Sequence, residues 1–331
     1  MFSWFYRDVD VSWHTTGGLR LCVARPRAPR DDLTVALWFS GGGLFRINPW
    51  LLSYCVRAYA ARGHVIVAPI YATSRPRIFV WLQTAVVCAI SATAASYLPP
   101  EAASPSLKWV AVAAVSFCFA VFRLARPSAA HPEHLRDAAL AVRWAVDHAE
   151  TYGAARRLVL AGHSGGGWLA CMLALEPRWL EEVGLRFDDA VGGLWLLSPV
   201  LDWTWVRAAP APVRFVVSEL WLRSQFLGTD ELSDVSPLAL LRGGAAHPDV
   251  PVLLVRAGSE FGPLVRASAE RTICLPEYAE ALRASGVRAV YEARAKGRHV
   301  SALFYVGGWW EADGDAAREF WRRARAPSSA V

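Results

Sequence analysis

Apolar and polar positions alternate along residues 9–14 (VDVSWH) and 19–25 (LRLCVAR), the period of two that half-buried strands require, and Thr16, Gly17 and Gly18 supply the turn between them. Further on the pattern changes. Residues 33–39 (LTVALWF), 64–71 (HVIVAPIY), 158–161 (LVLA), 191–200 (VGGLWLLSPV) and 251–255 are continuous apolar runs of strand length, as strands covered on both faces must be, and 288–293 adds another strand. Helical periodicity lies between them. Residues 49–61 follow a capping Asn48 and end at Gly63. Residues 132–152 gather Leu135, Ala138, Ala139, Val142, Trp144 and Val146 on or near one face, with Asp137, Arg143 and Asp147 toward water, and close at Gly153. Residues 267–284 and 316–325 complete the set. Strands alternating with helices predict one α/β domain over residues 1–331, a mainly parallel sheet of about eight strands flanked by helices on both faces.

One segment departs from this rhythm. After Arg75 and Arg77, residues 78–100 carry no charge, and a second uncharged run, 109–122, follows Lys108 and precedes Arg123 and Arg126. The first is long enough for a helix of about 20 residues to cross a bilayer core, while the second is short for a span. A connection containing Pro99, Pro100 and Glu101 joins them, so residues 75–130 predict an inserted hydrophobic helical hairpin, either transmembrane or a cap folded over an active site. Arginines at both outer ends would put the remainder of the protein on the cytosolic side of a membrane. Residues 202–228, rich in tryptophan, predict a lid-like helical segment.

The candidate chemistry is concentrated in LVLAGHSGGG, residues 158–167. An apolar run breaks at Gly162-His163-Ser164-Gly165-Gly166, the GxSxG pattern, and a helix-compatible run begins at once, so Ser164 stands at the apex of a strand–turn–helix. A serine in so sharp a turn occupies strained backbone, and glycines on either side let strand and helix approach. A plain strand-to-helix turn is the alternative use. A serine nucleophile needs a histidine base, and the histidine needs an acid. Of eight histidines, only His247 and His299 follow the Ser164 helix; His247 reads as a surface-loop residue, whereas His299 follows the strand 288–293 at the carboxyl edge where Ser164 emerges. For the acid, Glu260 in Gly258-Ser259-Glu260 follows the strand 251–255, where the order nucleophile, acid, histidine wants it, and Asp202 after the preceding strand is the competitor. The amide of Gly165 and those of Gly42 and Gly43, in the run Ser40-Gly41-Gly42-Gly43, are the candidate donors to a developing oxyanion. No lysine follows that run, so the GKS/GKT phosphate-loop signature is absent.

Composition narrows the partners. The net formal charge is +6, but only Lys108 and Lys296 among 35 basic residues are lysines and no basic cluster occurs, which leaves nucleic acid without a recognisable footprint. The six cysteines are scattered in apolar contexts without a CxxC pair, so neither a metal site nor a disulfide framework is expected. The start, MFSWFYRDVD, lacks an apolar core and a cleavage site, so no cleaved signal peptide is expected.

A glycine loop after the third strand, a helix such as HPEHLRDAALAVRWAVDHAETYG, the GHSGG turn, SPLALL, a strand with GSE, the helix YAEALRASG and the loop GRH together resemble the α/β-hydrolase fold esterases and lipases. Within them the chain is similar to prenylcysteine methylesterases and kynurenine-formamidase-like esterases. It differs in having Ser40 in place of the histidine of an HGGG motif, and Glu260 one residue before the usual GxxD acid, whose position holds Phe261. The resemblance implies hydrolysis of a carboxylic ester or thioester through an acyl-enzyme, with no cofactor or metal. The hairpin and the interfacial character of Trp203, Trp205, Trp221, Trp309 and Trp310 make an apolar or lipid-like small-molecule ester the expected substrate. A catalytically silent membrane scaffold and a small-amide hydrolase are the alternatives.

Overall fold

The computed structural model describes residues 8–28, 34–44, 47–74, 77–97, 104–125, 129–153, 157–218, 222, 225–226, 231–260, 266–301, 303 and 314–324. Phe261, Trp221, Trp309, Trp310, the flanking Arg75 and Arg126, and the connection 98–103 lie outside them.

Strand β3 (Val35–Phe39) shows how the continuous apolar runs are used. Val35, Leu37 and Phe39 enter one core, with Leu135, Leu169 and Tyr278, while Ala36 and Trp38 enter a second, with Tyr59, Trp195 and Phe320. Each strand thus serves both faces, which is why its sequence does not alternate. Eight strands form one sheet in the order β1-β2-β4-β3-β5-β6-β7-β8. They are β1 (Val9–Thr16), β2 (Leu19–Pro26), β3, β4 (Val65–Pro69), β5 (Leu158–His163), β6 (Val191–Leu197), β7 (Val252–Ser259) and β8 (Val290–Arg298). The β1–β2 and β2–β4 pairs are antiparallel, and every later pair is parallel. Gly17 and Gly18 turn the first hairpin at φ 52 and 84, conformations a side chain would strain.

Helices cover both faces. On one side α4 (Glu133–His148) and α5 (Gly165–Leu175) contribute to the larger core together with the helix Leu275–Ala284; on the other, α1 (Pro49–Ala60) and the helix Gly314–Ala324 close the second core. Asn48 caps α1, its side chain accepting from the N–H groups of Trp50 and Leu51. The single helix expected over 267–284 is two, Arg266–Ile273 and Leu275–Ala284, broken at Cys274 (φ 24). Pro276 explains the break, because it cannot donate to the preceding turn and its ring clashes with a helical carbonyl four residues back.

The apolar insertion forms α2 (Arg77–Ser96) and α3 (Pro105–Ala125), which pack chiefly on each other. No helix among the described residues is long and apolar enough to cross a membrane, so the expected transmembrane helix is not supported. The uncharged stretch 78–100 outlasts α2, which stops at Ser96 and carries Gln83, Thr84, Ser91 and Thr93, and Lys108 stands in the first turn of α3. Yet ten of the fifteen exposed large apolar side chains among the described residues belong to this pair and the adjoining Tyr97, Ile90, Trp109 and Phe117 among them.

Behind α5 lies a cluster of uncharged histidines. His134 is fully buried with both ring nitrogens lacking a hydrogen-bond partner among the described residues, and it packs edge-on against Trp168 at 5.4 Å. Burial lowers its pKa to about 3, and lowers that of the adjacent His131 to about 4. His247, expected on a surface loop, is instead buried, its ring bonded to the Pro248 carbonyl, and its pKa falls to about 4 for the same reason. A histidine with a folded pKa below its unfolded value near 6.5 gives stability that is complete above the unfolded value and lost as pH falls toward the folded one. Resistance to urea is therefore expected to hold between pH 8 and 7 and to decline steeply from pH 6.5 to 5, where a group such as His134 costs about 2 kcal/mol. Equilibrium unfolding across that range checks this, with His134→Phe expected to flatten the dependence.

Candidate active site

The carboxyl ends of β3, β5, β6 and β7 lie side by side, and each carries one part of the candidate site. Ser164 follows β5 directly, with φ 54 and ψ −120, a conformation that a non-glycine residue holds only when its surroundings enforce it. They do: its N–H donates to the Leu197 carbonyl at 3.0 Å, and its own carbonyl accepts the N–H groups of Val200 and Trp168, each at 3.1 Å. The flanking glycines are required by contact. A Cβ on Gly162 would collide with the Gly166 backbone, one on Gly166 with the Phe39 carbonyl, and one on Gly167 would stand 2.7 Å from Pro199 Cβ. At Gly165, the position of a Cβ lies 3.2 Å from the Leu44 nitrogen, so the residue after Ser164 faces the loop 40–44. The loop passes through left-handed backbone at Gly42, Gly43 and Leu44, with φ 142, 59 and 62. Gly42, Gly43 and Gly165 are thus drawn to the same edge.

His299 and Glu260 meet. His299 Nδ1 and Glu260 Oε2 are 2.8 Å apart, and both side chains are almost wholly buried. The backbone joins them too, since the His299 N–H donates to the carbonyls of Ser259 and Glu260 at 3.0 and 3.3 Å. A carboxylate accepts, so Nδ1 carries the proton and Nε2 keeps the lone pair of a base. The other carboxylate oxygen, Oε1, accepts from Ser198 Oγ at 2.9 Å, and Ser198 Oγ in turn accepts the Ala257 N–H at 3.0 Å. Placing the acid one residue early is accommodated by the β7–β8 register, which pairs Ser259 with Arg298 after an irregularity beyond Ala257. The competing Asp202 is engaged elsewhere, its Oδ1 accepting from both the N–H and the hydroxyl of Thr204 at 2.8 Å.

Two residues here were not apparent in the sequence. Ser198, fully buried at φ 39 beyond β6, orients the carboxylate; its only sequence signal is a serine and proline ending an apolar strand. His163, within the GxSxG turn itself, donates from Nε2 to the His299 carbonyl at 2.9 Å and lies 4.6 Å from the His299 ring. Complete burial and the neighbouring His299 push its pKa well below the ordinary histidine value, keeping it a neutral donor. Gly41 must be glycine beside it, because a Cβ there would strike His163 Nδ1.

A deep strand-to-helix elbow carrying a serine, a histidine–carboxylate pair on the following strands and a glycine loop on the preceding one define a hydrolase of the α/β class. The chain belongs to the alpha/beta hydrolase fold family, which matches residues 100–305. Among solved structures it is similar to a thermostable esterase from Pseudomonas putida (20% identity, TM-score 0.56, 96% of this chain and 82% of that one). It is also similar to brefeldin A esterase, described as a bacterial homologue of human hormone-sensitive lipase (19%, 0.60, 96% and 78%), and to the esterase Est22 (15%, 0.59, 97% and 81%). No curated protein sequence matches the chain.

The contact of Gly166 with the Phe39 carbonyl gives a direct test. Gly166→Ala is expected to lower stability by about 3 kcal/mol, the upper range for overpacking, because backbone rather than a flexible side chain must move. Chemical denaturation measures it, and a loss under 1 kcal/mol would contradict the crossing.

Proposed function

We propose that the protein hydrolyses a carboxylic ester or thioester through an acyl-enzyme on Ser164. The observation that carries this reading is the buried 2.8 Å contact of His299 Nδ1 with Glu260 at the edge where Ser164 stands in its strained elbow. With Nδ1–H given to Glu260, Nε2 of His299 takes the Ser164 hydroxyl proton as Oγ attacks the carbonyl carbon. The amides of Gly42, Gly43 and Gly165 receive the negative charge that develops on the carbonyl oxygen. Collapse breaks the bond to the leaving alkoxide or thiolate, which takes the proton from His299, and water activated by the same nitrogen then releases the acid and restores Ser164. No cofactor enters these steps. A silent scaffold was motivated by the displaced acid, and the Glu260–His299 bond favours catalysis over it.

In this reading the substrate is an apolar or lipid-like ester met at the cytosolic surface of a membrane. Its support is the outward-facing apolar side chains of α2 and α3, such as Leu82, Val86, Ile90, Val110 and Phe117, together with the absence of acidic residues from both helices. The esterases of similar fold agree with an ester as substrate class.

A fluorophosphonate probe is expected to label the wild-type protein and not Ser164→Ala; equal labelling of both rejects the serine mechanism. His299→Ala is expected to reduce kcat about 10⁴-fold or more, and Glu260→Gln by roughly 10³–10⁴, since either change deprives Ser164 of a correctly held base. Flotation with vesicles containing phosphatidylglycerol tests the membrane surface: the protein is expected to rise with them, and less so when Phe117 and Val110 are replaced by serine. Protein that stays at the bottom of the gradient removes the membrane from the reading.

A further inference from the structure

The loop 40–44 is held by its carbonyl oxygens. Tyr71 Oη donates to the Ser40 carbonyl at 2.5 Å, the side-chain amide of Gln225 donates to the Gly43 carbonyl, and Ser74 donates to the Leu44 carbonyl from both its N–H at 2.8 Å and its Oγ at 3.2 Å. Tyr71, Ser74 and Gln225 are all at most 2% exposed. Because a peptide is planar and its C=O and N–H point to opposite sides, a tie on one residue's carbonyl fixes the direction of the next residue's N–H. The Gln225 tie on Gly43 therefore sets the Leu44 amide, the group that faces Gly165 beside Ser164. Such ties matter more here than elsewhere in the fold, because the loop runs through three successive residues at positive φ, one of them a leucine, and supplies no regular ladder of its own.

The three side chains lie at the two ends of the insertion by different routes. Tyr71 and Ser74 lie on the stretch that enters α2, and the backbone carbonyl of Gln225 accepts the N–H of His131 at 2.7 Å, where the chain returns from α3 into α4. A bond of 2.7 Å from the Ala72 N–H to the Asp137 carboxylate fastens the entering and returning stretches together.

We propose that Tyr71, where the chain enters α2, and Gln225, tied to the chain's return at His131, are positioning residues for acyl transfer: by holding the Ser40 and Gly43 carbonyls they bracket the loop and fix the curvature that presents the Gly42 and Gly43 amides to the oxyanion. The proposal rests on the ester-hydrolase reading and adds to it the means by which the oxyanion site is kept in shape. Neither residue touches the substrate. Each acts through a loop whose amides are useful only when charge develops on the carbonyl oxygen, so its loss weakens the transition state more than the ground state.

The test uses the full-length protein carrying Gln225→Leu or Tyr71→Phe, a water-soluble p-nitrophenyl ester, and a trifluoromethyl ketone, whose adduct with a serine bears an oxyanion. For each variant, kcat is expected to fall roughly tenfold or more with KM changed less than about twofold, and the ketone's inhibition constant is expected to rise in step with the loss of kcat/KM. The two residues belong to separate segments of the chain, so a failure of one variant to fold leaves the other to decide. Unchanged kcat, a change confined to KM, or a fall in kcat without weaker ketone binding overturns the positioning role. A wild-type protein that neither turns over esters nor takes a fluorophosphonate on Ser164 overturns the parent reading and this one with it.

Discussion

The site depends on one crossing made without side chains. At Gly162 and Gly166 the strand β5 and the helix α5 approach so closely that a Cβ on either would meet backbone, and at Gly166 that backbone is the Phe39 carbonyl at the end of β3. With α5 seated there, Gly165 faces Leu44 and Gly167 faces Pro199, so the turn after β5 is registered at once against the segments that follow β3 and β6. The parallel sheet does the rest. Neighbouring parallel strands end on the same edge, which brings the loop 40–44, Ser164, Ser198 and Glu260 into one row in the order of β3, β5, β6 and β7, with His299 arriving from β8 at the end of it.

Along that row the polar groups form a directed chain. The Ala257 N–H supports Ser198, Ser198 donates to Glu260, and Glu260 accepts from His299. Each donor is used once and each buried oxygen has a partner, the condition under which a buried network is an asset rather than a cost. His299 is gripped from a second side, since its carbonyl accepts from His163 while its ring accompanies Glu260. Because His163 belongs to the turn that carries Ser164, the loop bearing the candidate base is tied directly to the residue next to Ser164.

The fold was largely legible because its strands speak plainly: runs such as LTVALWF have one use at that length, and Gly17, Gly18, Gly63 and Gly153 mark ends where φ turns positive. The placement of Ser164 and His299 at one edge of the sheet was legible from the strands they follow. What was not legible depended on side-chain direction. Asp202 and Glu260 both follow strands of the sheet, and only the direction of each carboxylate, toward Thr204 or toward His299, separates them. His247 looked exposed because a polar, proline-containing loop surrounds it, yet its ring turns inward onto the Pro248 carbonyl. Hydropathy left residues 78–100 open to a membrane span as well as a cap, since a count of uncharged residues is blind to where the helix stops and to Gln83 and Thr84 within it. Tyr71 and Gln225 bind backbone carbonyls, and a sequence carries no mark of which carbonyl a side chain will find.

The position of the insertion bears on how the site is stabilised. The elbow of Ser164 is pinned within the sheet, by Leu197 on one side and the Val200 N–H on the other, and so is insulated from what happens at α2 and α3. The loop 40–44 is not: Tyr71 and Ser74 come from the stretch that enters α2, and Gln225 is bonded to His131 where the chain leaves α3, with Ala72 and Asp137 joining the two ends. Two helices that present isoleucine, tryptophan and phenylalanine to water have a strong tendency to be covered. In the proposed reading the nucleophile and the oxyanion loop are thus anchored to different parts of the molecule, Ser164 to β5 and β6 and the loop 40–44 to the two ends of the insertion.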